Sequence, residues 1–326
     1  MWLPTLLIGI KKEDGHAMKK KAPITQMKAK PKGVWKQHRR IEKFLYLLPS
    51  IVIFLVFMVW PIIYNIYLST MDWNMVSPNK KFVGIENYRD IFTDATFIKA
   101  LGNTGLYVLL MMLFCFVAPY FYSYVLGKLV TKGDKIYRAL LFFPSLLSLA
   151  IAAIVFMWLF NSVSGPIAVI YEMFGRESPH WFTTSGYVIV ALSIATGWRC
   201  FGYNLIVFLG AIVEVPVELI EAAKIEKASN WKIFWSIIFP LTSPTALYVF
   251  VISFVMGLQY VFTPIRMITR GGPNMASTNL VYLIYQYSFQ FFQTGRAAAV
   301  AIISLVVFML VLLLQTILNK KVHYEN

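Results

Sequence analysis

Residues 44–71 read FLYLLPSIVIFLVFMVWPIIYNIYLSTM, and this stretch contains no Asp, Glu, Lys or Arg. An α-helix rises about 1.5 Å per residue, so about 20 residues cross the ~30 Å hydrocarbon core of a bilayer. The stretch is therefore long enough to span a membrane as a helix. The number of such stretches along the chain gives the number of membrane spans.

Five further runs without charged residues follow along the chain of 326 residues, at 100–127, 139–171, 200–213, 233–265 and 297–319. The run at 200–213 is short only because Arg199 interrupts an apolar stretch that begins near Tyr187. We therefore predict an all-α integral membrane protein with six transmembrane helices, at residues 44–69, 105–126, 139–160, 187–212, 237–262 and 297–318.

The composition supports a membrane protein and gives it an orientation. Charged residues make up 14% of the chain, against about 25% in soluble domains. The net charge of +15 is distributed unevenly between the two sides of the predicted bundle. One side holds 21 Lys and Arg, in segments 1–43, 128–138, 214–232 and 320–326. The other side holds 8, in segments 72–99, 172–186 and 266–296.

We expect the protein in the plasma membrane. Positively charged loops favour the cytoplasmic side, so both termini are expected in the cytoplasm. We predict three regions: a basic, disordered cytoplasmic segment at 1–43, a membrane domain at 44–320 and a cytoplasmic tail at 321–326. The basic segment is interpreted as a signal for topology and lipid headgroups rather than a nucleic-acid arm.

The sequence offers no site for chemistry of its own. It has no Gly-rich loop ending in Gly-Lys-Ser/Thr, no His/Cys cluster and no nucleophile elbow. Cys115 and Cys200 both fall within predicted spans, which does not support a disulfide framework. We expect no cofactor, no metal and no enzymatic activity, so energy must come from a partner or from a gradient.

The segment between the fourth and fifth spans is the most informative, and residues 215–240 read VPVELIEAAKIEKASNWKIFWSIIFP. Pro216 suits the first turn of a helix, and the carboxylates of Glu218 and Glu221 favour its positive end. Three small or apolar residues would form one face of this helix: Leu219, Ala222 and Ala223. The pattern indicates an amphipathic cytoplasmic helix over 216–230, which either presents a docking face or merely caps the bundle at the interface.

This segment resembles the "EAA" loop of the permease subunits of binding-protein-dependent ABC importers. Glu221-Ala222-Ala223 is followed by Ile237 and Pro240 at the spacing of that motif. The resemblance implies a coupling helix that docks in a cleft of a separate ATPase, with Glu221 paired to a basic group there.

One position departs from the motif, since Lys227 stands next to Ala228 where the family usually has Gly. Gly permits a left-handed turn between two short helices, whereas Lys in that conformation costs about 1 kcal/mol. Either the turn keeps helical geometry, or the interface differs in detail.

Two further stretches resemble the carbohydrate-type permeases of the same family. Residues 82–89 read FVGIENYR, and residues 269–273 read TRGGP, which places Gly271, Gly272 and Pro273 in an external loop before the last span. The resemblance implies four kinds of partner: a second homologous permease subunit, two ATP-binding subunits, an extracytoplasmic solute-binding protein and the lipid bilayer. The implied function is import of a sugar or sugar-like solute by alternating access.

Sugars need hydrogen-bonding groups and flat aromatic faces near the middle of the membrane. Residues of these types within the predicted spans are candidates for a substrate pathway: Asn103, Tyr107, Trp198, Arg199, Tyr203, Asn204, Gln259 and Tyr260. A guanidinium inside a span is costly unless it is paired or hydrated. Arg199 is therefore either a contact to substrate or one half of a structural pair near a break at Gly197, and ordinary bundle packing is the competing explanation for the others.

Two other classes of membrane protein are alternatives to the importer. Gradient-driven transporters usually have ten or more spans or inverted repeats, with ionisable residues at mid-membrane, and one intramembrane Arg argues against them. A membrane-embedded enzyme is opposed by the lack of any His, Asp or Glu cluster within the spans. Transport without a separate nucleotide-binding subunit would favour a gradient-driven transporter.

Overall fold

The computed structural model describes residues 45–130 and 132–321. The predicted segment 1–43 lies outside this part of the chain, as does the predicted tail 321–326 apart from Lys321. The chain divides into two units between Met58 and Val59. The described helices are α1 Leu45–Ser69, α2 Glu86–Thr93, α3 Ala95–Leu129, α4 Asp134–Leu146, α5 Leu149–Leu159, α6 Pro166–Met173, α7 Tyr187–Glu214, α8 Val217–Ile225, α9 Asn230–Thr269, α10 Leu280–Tyr285 and α11 Thr294–Lys321.

Five of these helices are long and apolar enough to cross a membrane: α1, α3, α7, α9 and α11. They contain the first, second, fourth, fifth and sixth predicted spans, which confirms those predictions. The third span, predicted as one helix over 139–160, is wrong in that form. Helices α4 and α5 together satisfy the length and composition of a span, but their axes are bent by 101°.

Local chemistry explains why the helix breaks here. Pro144 has no N–H to donate, and residues Phe143–Leu146 tighten into a 3₁₀ turn that ends α4. Leu147 and Ser148 are extended, and the Ser148 hydroxyl accepts a hydrogen bond from the Ile151 N–H at 3.2 Å. A serine in this position is a favourable helix N-cap, so α5 begins as a new helix.

Two of the prolines inside the long helices are accommodated by π-helical turns. Leu113–Val117 forms such a turn in α3, and Phe234–Ile238 forms another in α9. Each ends two residues before a proline, Pro119 and Pro240 respectively. Proline removes one helical donor and its ring crowds the preceding turn, so the wider turn relieves the crowding.

Helix α7 is the centre of the bundle and packs against α3, α4, α5 and α9. A cluster of buried side chains joins α7 to α3 and α9, including the fully buried Met111, Leu192, Cys115 and Cys200. Both cysteines are free thiols. Because the core is shared by helices distant in sequence, α7 fixes the position of the segment that follows it.

A short hairpin follows α1. Strands β1 (Met71–Asp72) and β2 (Lys81–Phe82) pair antiparallel, with Met71 opposite Phe82. The amide of Asn87 in α2 donates to the carbonyl oxygens of Ser69 and Met71, both at 2.9 Å. A Cβ at Gly295 would lie 1.9 Å from the Met71 carbonyl oxygen, so α11 begins in direct contact with this hairpin.

Candidate functional site

The segment after α7 is a helix–turn–helix unit. Helix α7 ends at Glu214, and the buried Val215 accepts a hydrogen bond on its carbonyl from Lys128 Nζ at 3.0 Å. Pro216 takes the N-cap position with an extended ψ of 129°, one residue before α8. The helix predicted over 216–230 is shorter than expected, because it ends at Ile225 and α9 starts at Asn230.

The turn between α8 and α9 resolves the question posed by Lys227. This residue has a φ of 59°, so the turn is left-handed and does not continue the helix. The N–H of Ala228 donates to the carbonyl of Ala223 at 3.0 Å, which closes α8. Ser229 then caps α9 by accepting from the N–H of Lys232 at 3.2 Å. A lysine thus occupies the conformation that glycine adopts without strain.

The inner side of this unit is anchored to the bundle. Ile220 is buried, and Ala223 and Ala228 are half-buried against a cluster that contains Tyr124 and Phe234. The Tyr124 hydroxyl donates to the Asn230 carbonyl at 3.0 Å. The position of α8 is therefore fixed by α3 and α9 as well as by α7.

The outer side of α8 is exposed and mixes carboxylates with apolar groups. Glu218, Glu221, Leu219 and Ala222 all face outward. Ala223, predicted to share the apolar face of Leu219 and Ala222, points toward the bundle instead. Sequence reasoning missed Ile225, which is 83% exposed. The helical spacing 218, 222, 225 could have identified it.

The exposed apolar residues make α8 unlike the rest of a solvated loop. Leu219 and Ile225 together present branched apolar side chains beside two carboxylates, on a helix of nine residues. Isolated exposed apolar residues are common, but a compact mixed patch of this kind is typical of a protein contact. Pro240, the last residue of the motif, is exposed in α9.

Three of the predicted pathway residues are buried and hydrogen-bonded within the chain. Asn103 donates from Nδ2 to the carbonyls of Met275 and Thr278, at 3.0 and 2.9 Å. The Tyr107 hydroxyl donates to the Ser277 carbonyl at 3.0 Å. These contacts attach the loop before α10 to α3.

The third of these residues, Asn204, lies in the bundle core. Its Nδ2 donates to the carbonyl of Cys115 at 2.5 Å and to the Ser253 hydroxyl at 3.2 Å. In a regular α-helix the Cys115 carbonyl would accept from the residue four positions on, which is Pro119 and has no N–H. Asn204 therefore supplies a donor that the proline removes.

The other predicted pathway residues are more accessible. Trp198, Tyr203 and Gln259 are exposed, and Arg199 and Tyr260 are half-buried. Trp198 lines an apolar hollow of about 360 Å³, together with residues of α3 and α4. These five side chains lie on surfaces that the rest of the described chain does not cover. Asn103, Tyr107 and Asn204, by contrast, are covered by it.

The predicted external loop is a compact turn. Gly271 has a φ of +88°, and a Cβ there would lie 2.6 Å from the Thr278 hydroxyl oxygen. The Gly272–Pro273 peptide is cis. The Ser277 hydroxyl donates to the Gly272 carbonyl at 2.7 Å, and the hydroxyls of Ser277 and Thr269 are 2.8 Å apart. Asn103 and Tyr107 hold this turn against α3.

A charged cluster lies near the start of α3. The Tyr287 hydroxyl donates to Asp94 at 2.6 Å, and Arg296 pairs with Asp90 at 2.7 Å. Partial burial works against the charge of Asp94, but hydrogen bonds from Tyr287 and Thr96, with the nearby Arg296, hold its pKa below the ordinary value. Among the described residues, no three His, Cys, Asp or Glu converge as a metal site would require.

Comparison with known proteins agrees with this architecture. The family model described as "Binding-protein-dependent transport system inner membrane component" matches residues 122–324, more than half of the chain. The "multiple sugar-binding transport system permease protein MsmF" of Streptococcus mutans is 31% identical over 276 residues, covering 85% of this chain and 94% of that protein. The "sn-glycerol-3-phosphate transport system permease protein UgpA" of Rhizobium meliloti is 28% identical over 288 residues, covering 87% and 97%.

A solved structure shares the fold. It is the crystal structure of "a bacterial ABC transporter involved in the import of the acidic polysaccharide alginate", with a TM-score of 0.76 and 23% identity, covering 89% of this chain and 99% of that one. The apolar helices, the fold and the family match agree with one another. The chain belongs to the family of binding-protein-dependent transport system inner membrane components.

Proposed function

We propose that the chain is the permease subunit of an ATP-driven importer for a sugar or a sugar-like solute, such as a sugar or polyol phosphate. The names of the two relatives support this solute class. The chain would work with a second permease, two ATP-binding subunits and an extracytoplasmic solute-binding protein, with both termini in the cytoplasm. Transport would proceed by alternating access.

The exposed face of α8 is the observation that carries this proposal. Leu219, Ala222 and Ile225 form a small apolar patch next to Glu218 and Glu221. A cleft on the ATP-binding subunit would bury this patch and pair Glu221 with a basic group. Because only two residues separate α8 from α7, a movement of α8 would act directly on the central helix.

The accessible residues of the predicted pathway fit the same proposal. Trp198, Tyr203, Gln259 and Tyr260 offer aromatic faces and hydrogen-bonding groups on open surfaces. A second permease subunit facing them would complete an enclosed route for the solute. Asn103, Tyr107 and Asn204 would support this route from behind, because their side chains bond to the chain itself.

Charge reversal on α8 tests the proposal. The complex is purified with its ATP-binding subunits, reconstituted in liposomes and supplied with binding protein and solute. We expect Glu221→Lys to lower uptake at least tenfold, the equivalent of about 1.4 kcal/mol, and to reduce co-purification of the ATP-binding subunit. Glu177→Lys is the matched control, because Glu177 is exposed in the segment between α6 and α7, at the other end of α7 from α8.

Two outcomes would overturn the proposal. Normal uptake by Glu221→Lys would show that α8 is not the contact with the motor protein. Uptake by the isolated chain without nucleotide or partners would instead favour a gradient-driven transporter. The Glu177→Lys variant has to behave as the unmodified chain for either result to be read in this way.

A further inference from the structure

The hydroxyl of Ser145 lies within the hydrogen-bond ladder of the central helix α7. It donates to the carbonyl of Arg199 at 2.9 Å and accepts from the N–H of Tyr203 at 3.1 Å. These two backbone groups are four residues apart, so they are the pair that an α-helix joins directly. A side chain of α4 therefore bridges one rung of the α7 ladder, an arrangement typical of places where helices bend.

Arg199 makes a second connection between the same elements. Its Nε donates to the carbonyl of Leu147 at 3.0 Å, in the two-residue break between α4 and α5. Carbonyls at the end of a helix lack intrahelical donors and carry partial negative charge, so a guanidinium stabilises them. Arg199 thus donates a hydrogen bond to the Leu147 carbonyl, which the break leaves without a helical donor. The same bond offsets part of the cost of placing the Arg199 charge within a span.

The backbones of α4 and α7 touch at this point. A Cβ on Gly202 would lie 2.5 Å from the Leu141 carbonyl oxygen, 2.7 Å from the Phe142 Cα and 2.8 Å from the Ser145 hydroxyl oxygen. Only glycine allows this approach, because two of the three atoms belong to the backbone. Ser145, Arg199 and Gly202 together form one junction, hereafter the α4–α7 junction.

The α4–α7 junction lies between the break of the third span and the segment that leads to α8. Helix α7 continues from Tyr203 to Glu214, and α8 begins three residues later at Val217. A displacement of α8 would therefore be carried along α7 to the rung at Arg199 and Tyr203. That rung is tied to the end of α4 and to the start of the α4–α5 break.

We propose that Ser145 and Arg199 are positioning residues that transmit movement of α8 to α5 through the α4–α7 junction. This inference rests on the proposed function of α8, and it assigns Arg199 to the protein rather than to the solute. Transmission would require this rung to have two arrangements: the observed one, with the Ser145 hydroxyl bonded to both backbone groups, and one with the Arg199 carbonyl and Tyr203 N–H bonded directly. An element with two such arrangements can be biased by a distant contact.

The experiment uses the complete importer complex and separates transport from ATP hydrolysis. Ser145→Ala removes the bridging hydroxyl, and Arg199→Gln removes the charge and the Nε donor. We expect both variants to assemble and hydrolyse ATP but to lose solute uptake per ATP hydrolysed. Ser145→Thr, which retains a hydroxyl, should restore coupling. Ser304→Ala is the matched control, since that hydroxyl bonds to the Val300 carbonyl within its own helix.

A distance measurement provides a second readout. Spin labels are attached to Val163→Cys, in the loop after α5, and to Val76→Cys, in the hairpin loop, both on strongly exposed positions. Cys115 and Cys200 are fully buried and should not react. We expect ATP to change this label distance in the otherwise unmodified complex and in Ser304→Ala, and the change to be lost in Ser145→Ala and Arg199→Gln.

The outcomes distinguish this inference from the proposed function. If the unmodified complex does not transport with ATP and its partners, the proposed function fails. If it does, but Ser145→Ala and Arg199→Gln retain normal coupling and the ATP-dependent distance change, only the inference fails. Loss of assembly in both variants would also overturn it, because the junction would then hold the bundle together rather than transmit movement.

Discussion

The amide nitrogen of Asn204 in α7 lies 2.5 Å from the carbonyl oxygen of Cys115 in α3. This carbonyl faces the turn where Pro119 deprives it of a helical donor, and the Ser253 hydroxyl donates to it as well, at 3.1 Å. Three helices thus meet at a single backbone oxygen. In a bilayer core, where water is absent, such a contact supplies the donor that the helix lacks. The same contact also joins the helix to its neighbours.

We predict that Asn204→Leu destabilises the protein by about 1–2 kcal/mol, because it leaves a buried carbonyl short of a donor. Unfolding of the purified protein by denaturing detergent measures the change. The matched background is Pro119→Ala, which returns a backbone N–H to the helix. Asn204→Leu should lower the stability less in that background. Equal losses in both backgrounds would refute the idea that Asn204 replaces the donor missing at the Cys115 carbonyl.

Gly271→Ala should destabilise the external turn. The φ of +88° is unfavourable for alanine, and the new Cβ would meet the Thr278 hydroxyl at 2.6 Å. Gly186 is a matched control, since its φ is +91° and nothing lies within 4 Å of its Cβ position. We expect Gly271→Ala to cost at least about 1 kcal/mol more than Gly186→Ala in thermal unfolding. Similar losses would mean that backbone strain alone matters at both positions.

Lys227→Gly should stabilise the turn between α8 and α9. The left-handed φ of 59° costs a lysine about 1 kcal/mol, which glycine would avoid. Glycine also has more conformational freedom in the unfolded chain, and this cancels part of the gain. The free energy of unfolding should therefore rise by a few tenths of a kcal/mol, which is detected as a higher melting temperature of the purified complex. Lys224→Gly, placed in the last turn of α8, is the control and should be destabilising. A loss of stability in Lys227→Gly would show that the lysine side chain makes a contact worth more than the strain.

Asp94 should make stability depend on acid pH. Its pKa in the folded protein is held below the ordinary value of 3.8. The charged form is therefore favoured by folding, so the contribution is complete above about pH 4 and is lost as the pH falls through the folded pKa. Melting temperatures measured across this range should fall more steeply for the unmodified chain than for Asp94→Asn.

Tyr287→Phe tests the cause of that dependence. It removes the 2.6 Å hydrogen bond to Asp94 and leaves the Thr96 N–H bond and the Arg296 charge in place. We expect a pH dependence intermediate between the unmodified chain and Asp94→Asn. A profile identical to that of the unmodified chain would show that Tyr287 does not set the pKa of Asp94.

The spans that the sequence predicts are those that depend on local properties alone. Length and lack of charge are enough to place α1, α3, α7, α9 and α11. The bend between α4 and α5 depends on where Pro144 ends one helix and Ser148 starts another. Both residues are visible in the sequence, but the angle between the two helices follows from packing against α7.

The polar residues show a different limit. Their types identify Asn103 and Asn204 as groups that need partners within a membrane, yet the partners lie far away in the sequence. Asn103 bonds to the carbonyl of Thr278, and Asn204 to that of Cys115. Any backbone carbonyl that a turn or a proline frees can accept such a bond, so only the three-dimensional arrangement selects one. The same holds for Ile225, whose exposure depends on which face of α8 meets the bundle.

The broken third span also has a consequence for the lipid around it. Helices α4 and α5 are about 20 and 16 Å long at the usual rise, so each alone falls short of the ~30 Å thickness of hydrocarbon. Folded back by 101°, the two together still reach only about 23 Å from end to end. Acyl chains beside this face would have to compress, or a neighbouring protein surface would have to replace them. Membrane thickness should therefore influence this protein at one side of its circumference more than elsewhere.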